Sequence, residues 1–327
     1  MLRIDFWEKR WPMAEPFAIA RGVQLDQPTL QISLTDRDGL VGRGEACGVP
    51  YAGETPETMA AQVQSMAQIF VTGFSRQELL SYLPAGGARH AVDAALWDLE
   101  AKQTDRSVFD IAGLAPQPVV SARTIGIRSI EAYGATALKL RDYAVLKVKV
   151  NSDDPLTAIR AVRKAAPSPK LIVDPNQSWS VGLLKRLAPE LSALGVVLIE
   201  QPIAVGAEAG LDGWRSPVPL CADELIDDVD DLDSALGRYQ VVNIKLDKSG
   251  GLTAALKLAD AATERGFRLM VGCMAGSSLS MAPAMVLAQR CEFVDLDGPL
   301  LQSEDCAPGL IYESGRVQKP HVPQLWG

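Results

Sequence analysis

The sequence lacks any cysteine pair spaced to hold a metal or frame a disulfide. Its five cysteines, at 47, 221, 273, 291 and 306, form no C-x-x-C, and an odd count argues against a disulfide framework. Reduced thiols, and with them a cytoplasmic location, are the expectation. No basic block occurs, and the formal net charge is −8, which disfavours nucleic acid and anionic membrane surfaces as partners. No apolar run approaches the roughly 20 residues of a membrane helix. The opening Met1-Leu2-Arg3-Ile4-Asp5-Phe6-Trp7 has no uninterrupted apolar core, so no signal peptide is read. Low-complexity segments and linkers are missing as well.

What remains is an ordinary globular composition, 47% hydrophobic and 22% charged. The 327 residues suffice for one barrel of about 200 to 250 residues and a smaller domain. Residues 1–45 read as antiparallel strands, with Leu30, Ile32 and Leu34 alternating with polar neighbours. Phe17–Gly22 and Cys47–Glu54 read as loops long enough to cover something. Helices are expected from Pro56 to about Val71, after Ser75 (a capping box with Glu78), and over about 88–102.

From Val119 onward the pattern alternates. Val120–Gly126 reads as a first strand, with Thr124 near its end. Leu146-Lys147-Val148-Lys149-Val150 follows and puts two lysines on one strand face. A solvated edge strand would carry such a pair equally well. The later runs decide against it: each ends in one charged residue, at Asp174, Glu200, Asp223 and Lys245, roughly 25 residues apart, which is one strand plus one helix. The fold class is therefore α/β, a modified (β/α)7β TIM-like barrel with an α+β capping domain. The cap is expected over 1–110, completed by 303–327, and the barrel over 111–302. Gly309–Val317 reads as a hairpin packing back on the cap. The pair Gly250-Gly251, opening a helix, is the chemistry of a phosphate cradle but weak evidence alone.

Strand ends of a barrel share one mouth. Three carboxylates gathered there repel unless a cation joins them, and oxygen-only ligation suits Mg2+. A lysine at its usual pKa is a poor base at neutral pH; a second ammonium on the same face lowers it. Lys149 then reads as a base with Lys147 as its electrostatic partner, and Lys245 as a second acid/base across the mouth. Proton abstraction α to a carboxylate is the chemistry this set can perform.

Lys147-x-Lys149, Asp174-x-Asn176, Glu200-Gln201-Pro202, Ala222-Asp223-Glu224, Ile244-Lys245 and the helix Ala94–Leu99 resemble the muconate-cycloisomerase-type branch of the enolase superfamily. The resemblance covers nearly the whole chain and implies Mg2+ on Asp174, Glu200 and Asp223, supported by Asn176 and Glu224. The branch that uses a His-Asp dyad is excluded, because the only histidines are His90 and His321. Asp295-x-Asp297 on the eighth strand is similar to the dipeptide epimerases, where such a pair holds a free amino terminus. An Asp cap before Gly298-Pro299 would explain one of the two. The implied reaction is epimerisation at the C-terminal residue of a small-molecule dipeptide, with L-Ala-D/L-Glu from murein as lead substrate. An o-succinylbenzoate synthase-type lyase of the same branch is the alternative, and a non-catalytic binding barrel the third reading. Arg21 and Thr124 are expected to contact substrate, though Arg21 serves equally as a cap–barrel ion pair. The loop 50–54 carries no cation, so the second residue of the dipeptide and the oligomeric state stay open.

Overall fold

The computed structural model describes residues 2–320 and 324–327, which leaves His321 outside the described residues. The chain begins with an antiparallel sheet, β1 (Arg3–Ile19), β2 (Gly22–Thr35) and β3 (Val41–Ala46), in that spatial order. Leu30, Ile32 and Leu34 are buried on its inner face, as their alternation requires. The stretch from Phe17 to Gly22, expected as a loop, is the end of a long hairpin. Its Phe17 pairs with Gln24 and Ile19 with Gly22 after a register shift beyond Pro12. The irregularity covers residues 13–16, and the apolar Phe17–Ile19 segment keeps pairing beyond it.

Four helices back the sheet. α1 (Pro56–Ser65) starts from a Thr55–Thr58 capping box. The single helix expected to Val71 breaks at Met66, whose N–H turns to Val63 O, and resumes as α2 (Ala67–Thr72). α3 (Arg76–Tyr82) carries the expected Ser75–Glu78 capping box. α4 (Gly87–Thr104) is the buried axis of the cap. Strand β3 lies so close to it that a Cβ on Gly42 or Gly44 would fall 2.1 Å from Ala95 O or 2.0 Å from Ala91 O.

After α5 (Val108–Ala112) come β4 (Val119–Val120) and β5 (Arg123–Ile125), where one strand was expected. The barrel continues through β6 (Val145–Lys149), β7 (Lys170–Asp174), β8 (Val196–Glu200), β9 (Leu220–Ala222), β10 (Val241–Lys245), β11 (Arg268–Gly272) and β12 (Phe293–Val294). Together β5 to β12 form one eight-stranded parallel sheet in sequence order that curls until its ends meet. Ala122 N donates to Val294 O at 2.8 Å across that seam. Between the strands run α6 (Ile130–Lys139), α7 (Pro155–Ala165), α8 (Val181–Ala193), α9 (Leu232–Ala235), α10 (Leu246–Ser249), α11 (Leu252–Glu264) and α12 (Ser278–Ala288). Inside the barrel, Ile172, Leu198, Cys221, Val241 and Met270 form one apolar layer. Ile172, Leu198 and Cys221 stand two residues before Asp174, Glu200 and Asp223, so the period of two puts the carboxylates on the same inward face, one step nearer the mouth.

The late hairpin, β13 (Tyr312–Glu313) and β14 (Arg316–Val317), does not pack on the cap. It pairs with β4, Val317 opposite Val119 and Arg316 opposite Val120, closing the far end of the barrel. Burying Val317 against the barrel core outweighs a surface contact. The two ends of the segment reach the cap instead: Ser303 N donates to Pro12 O at 2.9 Å, Trp326 Nε1 to Ala94 O at 2.9 Å and Gly327 N to Asp98 Oδ1 at 2.8 Å. Gly250 and Gly251 are likewise spoken for. Arg89 on α4 donates to Ser249 O and Gly250 O, at 2.7 and 3.1 Å, and Asp93 packs where a Gly251 side chain would stand. The glycine pair lets the cap helix dock on the barrel and is not a phosphate cradle.

Candidate active site

All five charged strand ends meet at one mouth. Lys147 Nζ lies 2.7 Å from Glu200 Oε2, 2.7 Å from Asp295 Oδ2 and 3.1 Å from Asp174 Oδ2. Lys149 Nζ lies 2.5 Å from Asp174 Oδ2 and 3.1 Å from Asn176 Oδ1. Across the mouth, Lys245 Nζ lies 2.6 Å from Asp223 Oδ2. Three strands, β7, β8 and β9, separate Lys149 from Lys245.

One expectation needs correction. The two lysines of β6 were expected to act on each other, ammonium against ammonium. Instead an Asp174 oxygen lies within 3.1 Å of both Nζ atoms. Burial works to lower the pKa of Lys147, but Asp295, Glu200 and Asp174 overcome it and hold that ammonium well above the usual lysine value. At Lys245 burial is again overcome, chiefly by Asp223. A sequence shows which charges share a strand, and the carboxylates that reach in from neighbouring strands dominate.

The carboxylates respond in opposite senses. Burial opposes ionisation of Asp174, yet Lys149 and Lys147 hold it below the ordinary range; Lys245 and Lys248 do the same for Asp223. Glu200 goes the other way, pushed up by burial and by Asp174. Its Oε2 and Asp223 Oδ1 are buried and meet only the ammonium groups of Lys147 and Lys248, as ion pairs without an aligned hydrogen bond.

Among the described residues no three His, Cys, Asp or Glu side chains form a ready-made ligation set. Lys147 stands among Asp174, Glu200 and Asp295 and meets their charge itself. The donor set nevertheless fits a hard divalent cation: the candidate ligands are all carboxylate oxygens, the donor type such an ion takes.

Three supporting residues escaped the sequence reading, and a fourth, Gln201, stands there in a motif without a role. Asn243 Nδ2 donates to Glu200 Oε1 at 2.9 Å. Gln201 Oε1 accepts from Asp223 N at 2.8 Å and Leu225 N at 3.3 Å, which pins the turn after β9. Lys248, fully buried on α10, donates to Asp223 O and to Ile226 O and lies 3.1 Å from Asp223 Oδ1. Arg123 pairs with Asp297 Oδ2 at 2.9 Å. Asn243 alone had a local signal, since it shares a strand face with Lys245 two residues on.

The mouth opens into a cavity of about 380 Å3 whose lining includes Lys147, Lys149, Lys245, Thr124, Asp295 and Asp297. Arg21, on the cap hairpin, also lines it. Its guanidinium donates to Glu224 at 2.6 Å and stacks over Tyr51 at 4.7 Å. Asn176 Nδ2 reaches the same Glu224 oxygen at 3.4 Å, and its own N–H bonds Asp174 Oδ1 at 2.9 Å. Thr124 contacts Asp297 through both its N–H, at 2.7 Å, and its hydroxyl, at 3.1 Å.

Residues 1–113 match the N-terminal domain of the mandelate racemase / muconate lactonizing enzyme family, and residues 128–323 match the enolase C-terminal domain-like family. The chain belongs to the enolase superfamily. Among enolase-superfamily relatives it is 38% identical to the L-Ala-D/L-Glu epimerase of Escherichia coli, over 97% of this chain and 99% of that one. It is 42% identical to an N-acetyl-D-glutamate racemase from a Pseudoalteromonas species, over 87% and 91%. A solved enolase-family structure from Agrobacterium tumefaciens, with homology to dipeptide epimerases and holding sodium and L-Ala-L-Glu, superposes with a TM-score of 0.97 at 39% identity, covering 100% of both chains.

Proposed function

We propose that this enolase-superfamily protein epimerises dipeptides at the α-carbon of the C-terminal residue, with L-Ala-D/L-Glu as the lead substrate and recycling of cell-wall peptides as the setting. The observation that carries the reading is the pair Lys149 and Lys245, which line one cavity from strands with three others between them, with three carboxylates on the strand ends from β7 to β9. Lys149 takes the α-proton on one face and Lys245 delivers a proton on the other, inverting the centre. Asp174, Glu200 and Asp223 would hold Mg2+, which supplies positive charge to the carboxylate oxygens as the α-carbon loses its proton. Lys147, two residues earlier on the same face of β6, adds positive charge to the same carboxylate. Asp295 and Asp297 accept hydrogen bonds from the substrate's ammonium group, and Arg21 is positioned for an acidic side chain on the second residue.

A second reading is racemisation of an N-acylated glutamate. It is favoured by the relative that is 42% identical, and by the cations already placed on both aspartates, Lys147 on Asp295 and Arg123 on Asp297. One experiment separates the two: incubation of the Mg2+-loaded protein in D2O with Ala-X dipeptides and with N-acetyl amino acids, read by mass spectrometry. Deuterium in the dipeptides supports epimerisation; deuterium confined to the N-acetyl compounds supports the second reading.

A further inference from the structure

The barrel closes at a seam that is nearly all polar. Beside the single backbone bond between Ala122 and Val294, Ser121 Oγ accepts from Leu296 N at 2.9 Å and Tyr312 OH donates to Leu296 O at 2.7 Å. One residue on, Arg123 Nη1 donates to Asp297 Oδ2 at 2.9 Å while Nη2 donates to Leu300 O at 2.8 Å. Thr124 N–H takes the same Asp297 oxygen at 2.7 Å, and the Thr124 hydroxyl meets Asp297 Oδ1 at 3.1 Å and Asp295 Oδ1 at 3.4 Å. Asp297 Oδ2 therefore has two donors, and Oδ1 keeps acceptor capacity toward the cavity that Asp297 lines. Arg123 itself is not among the lining residues.

We infer that Arg123 is the positioning residue of the amino-terminal subsite: it fixes Asp297 as an acceptor aimed at the α-ammonium, as Lys147 does for Asp295. This rests on the proposed reading of the aspartate pair.

The physical need is plain. Asp295 and Asp297 are both buried and two residues apart, and like charges so placed tend to share a proton. Burial and Asp295 push the Asp297 carboxyl up, and Arg123 is the cation that counters them. A protonated Asp297 would present a donor to an ammonium that offers only donors. Arg123 also ties Leu300, beside the cavity-lining Leu301, to the first strand. Loss of the guanidinium therefore disturbs recognition of the free amino group and leaves the three strand-end carboxylates untouched.

The test compares L-Ala-L-Glu with N-acetyl-L-glutamate in the Mg2+-loaded wild type, Arg123→Gln, Arg123→Lys, Asp297→Asn and the double variant Arg123→Gln/Asp297→Asn. Arg123→Gln should raise KM for L-Ala-L-Glu about tenfold with kcat nearly unchanged, the loss of one charge-assisted contact. The constant for N-acetyl-L-glutamate, as substrate or as competitive inhibitor, should stay within about twofold. Arg123→Lys should recover much of the KM, and if Arg123→Gln does not fold this variant carries the comparison with an intermediate KM. In the Asp297→Asn background, removing Arg123 should add less than about a further twofold. Equal losses for both compounds, an additive double variant, or no change in KM would overturn the inference. A wild type that exchanges N-acetyl-L-glutamate in preference to the dipeptide would overturn it too. Failure of the functional reading is distinguishable, because then the wild type itself does not exchange L-Ala-L-Glu, whatever the variants do.

Discussion

Arg21 on the cap hairpin and Glu224 on the barrel, 203 residues apart, are joined by a 2.6 Å hydrogen bond. The carboxylate is buried and the guanidinium only partly so. The one cation the cap hairpin brings to the cavity is thus already engaged, and an acidic substrate side chain must share it or take it.

Arg21→Met should therefore raise KM for L-Ala-L-Glu by roughly 10-fold, the lower part of what a charge-assisted contact of about 1.5–3 kcal/mol would give. An Ala-X dipeptide with an uncharged second residue should be affected much less. Steady-state kinetics on both substrates checks this. Equal losses would reduce Arg21 to a cap–barrel tie.

Metal dependence follows from three acidic strand ends. Protein stripped with EDTA should be inactive and recover with Mg2+ or Mn2+, whereas Asp174→Ala, Glu200→Ala and Asp223→Ala should not recover. Full activity in excess chelator would remove the metal assignment.

The lysines give the sharpest kinetic signature. Lys149→Ala should abolish epimerisation yet leave Lys245 able to exchange the α-proton of one epimer with D2O; Lys245→Ala should keep exchange of the other epimer only. Loss of the α-proton signal by NMR, for each epimer with each variant, is the measurement. Exchange of the same epimer by both variants would contradict the two-face arrangement.

Lys248 is a stability prediction. Its ammonium is buried among Asp223 O, Ile226 O and Asp223 Oδ1, so Lys248→Met leaves carbonyls without a donor and a carboxylate with one cation fewer. A cost of about 3 kcal/mol is expected, at the low end for breaking a buried pair because Lys245 remains. Chemical denaturation measures it.

His90 sets part of the acid stability. Burial pushes its pKa down to about 3, and neither ring nitrogen has a partner. The unfolded chain takes up this proton near pH 6.5 and the folded one only near 3, so the contribution is present above 6.5 and is lost as the pH falls through that window. Asp93, raised by burial to about 6, and Asp247, raised to about 7, work in the opposite sense: each stabilises at low pH and loses that effect as pH rises through its folded value. The difference between wild type and His90→Leu isolates the imidazole. Their unfolding free energies should diverge in favour of the variant by about 1.4 kcal/mol per pH unit below 6.5. Parallel curves would mean that His90 is protonated in the fold.

The sequence by itself determined the barrel, because a period of two within strands and one strand plus one helix per step are local properties that survive without any partner. By the same logic it placed Lys147, Lys149, Asp174, Glu200, Asp223 and Lys245 at one mouth: strand-end charges in a parallel barrel have nowhere else to go. The tertiary structure alone decided what each of those charges meets. The Asp174 oxygen beside both β6 lysines, Lys147 beside Asp295, Lys248 beneath Asp223 and Arg123 on Asp297 are contacts between segments that close in space while lying 25 to 174 residues apart in the chain. The same holds for the hairpin of β13 and β14, which reads as packing on the cap until β4 offers it an edge, and for Gly250-Gly251, which reads as a turn until α4 lies across it. Periodicity fixes the direction in which a side chain points; its partner, and therefore its charge state, is fixed only when distant segments pack and exclude water between them.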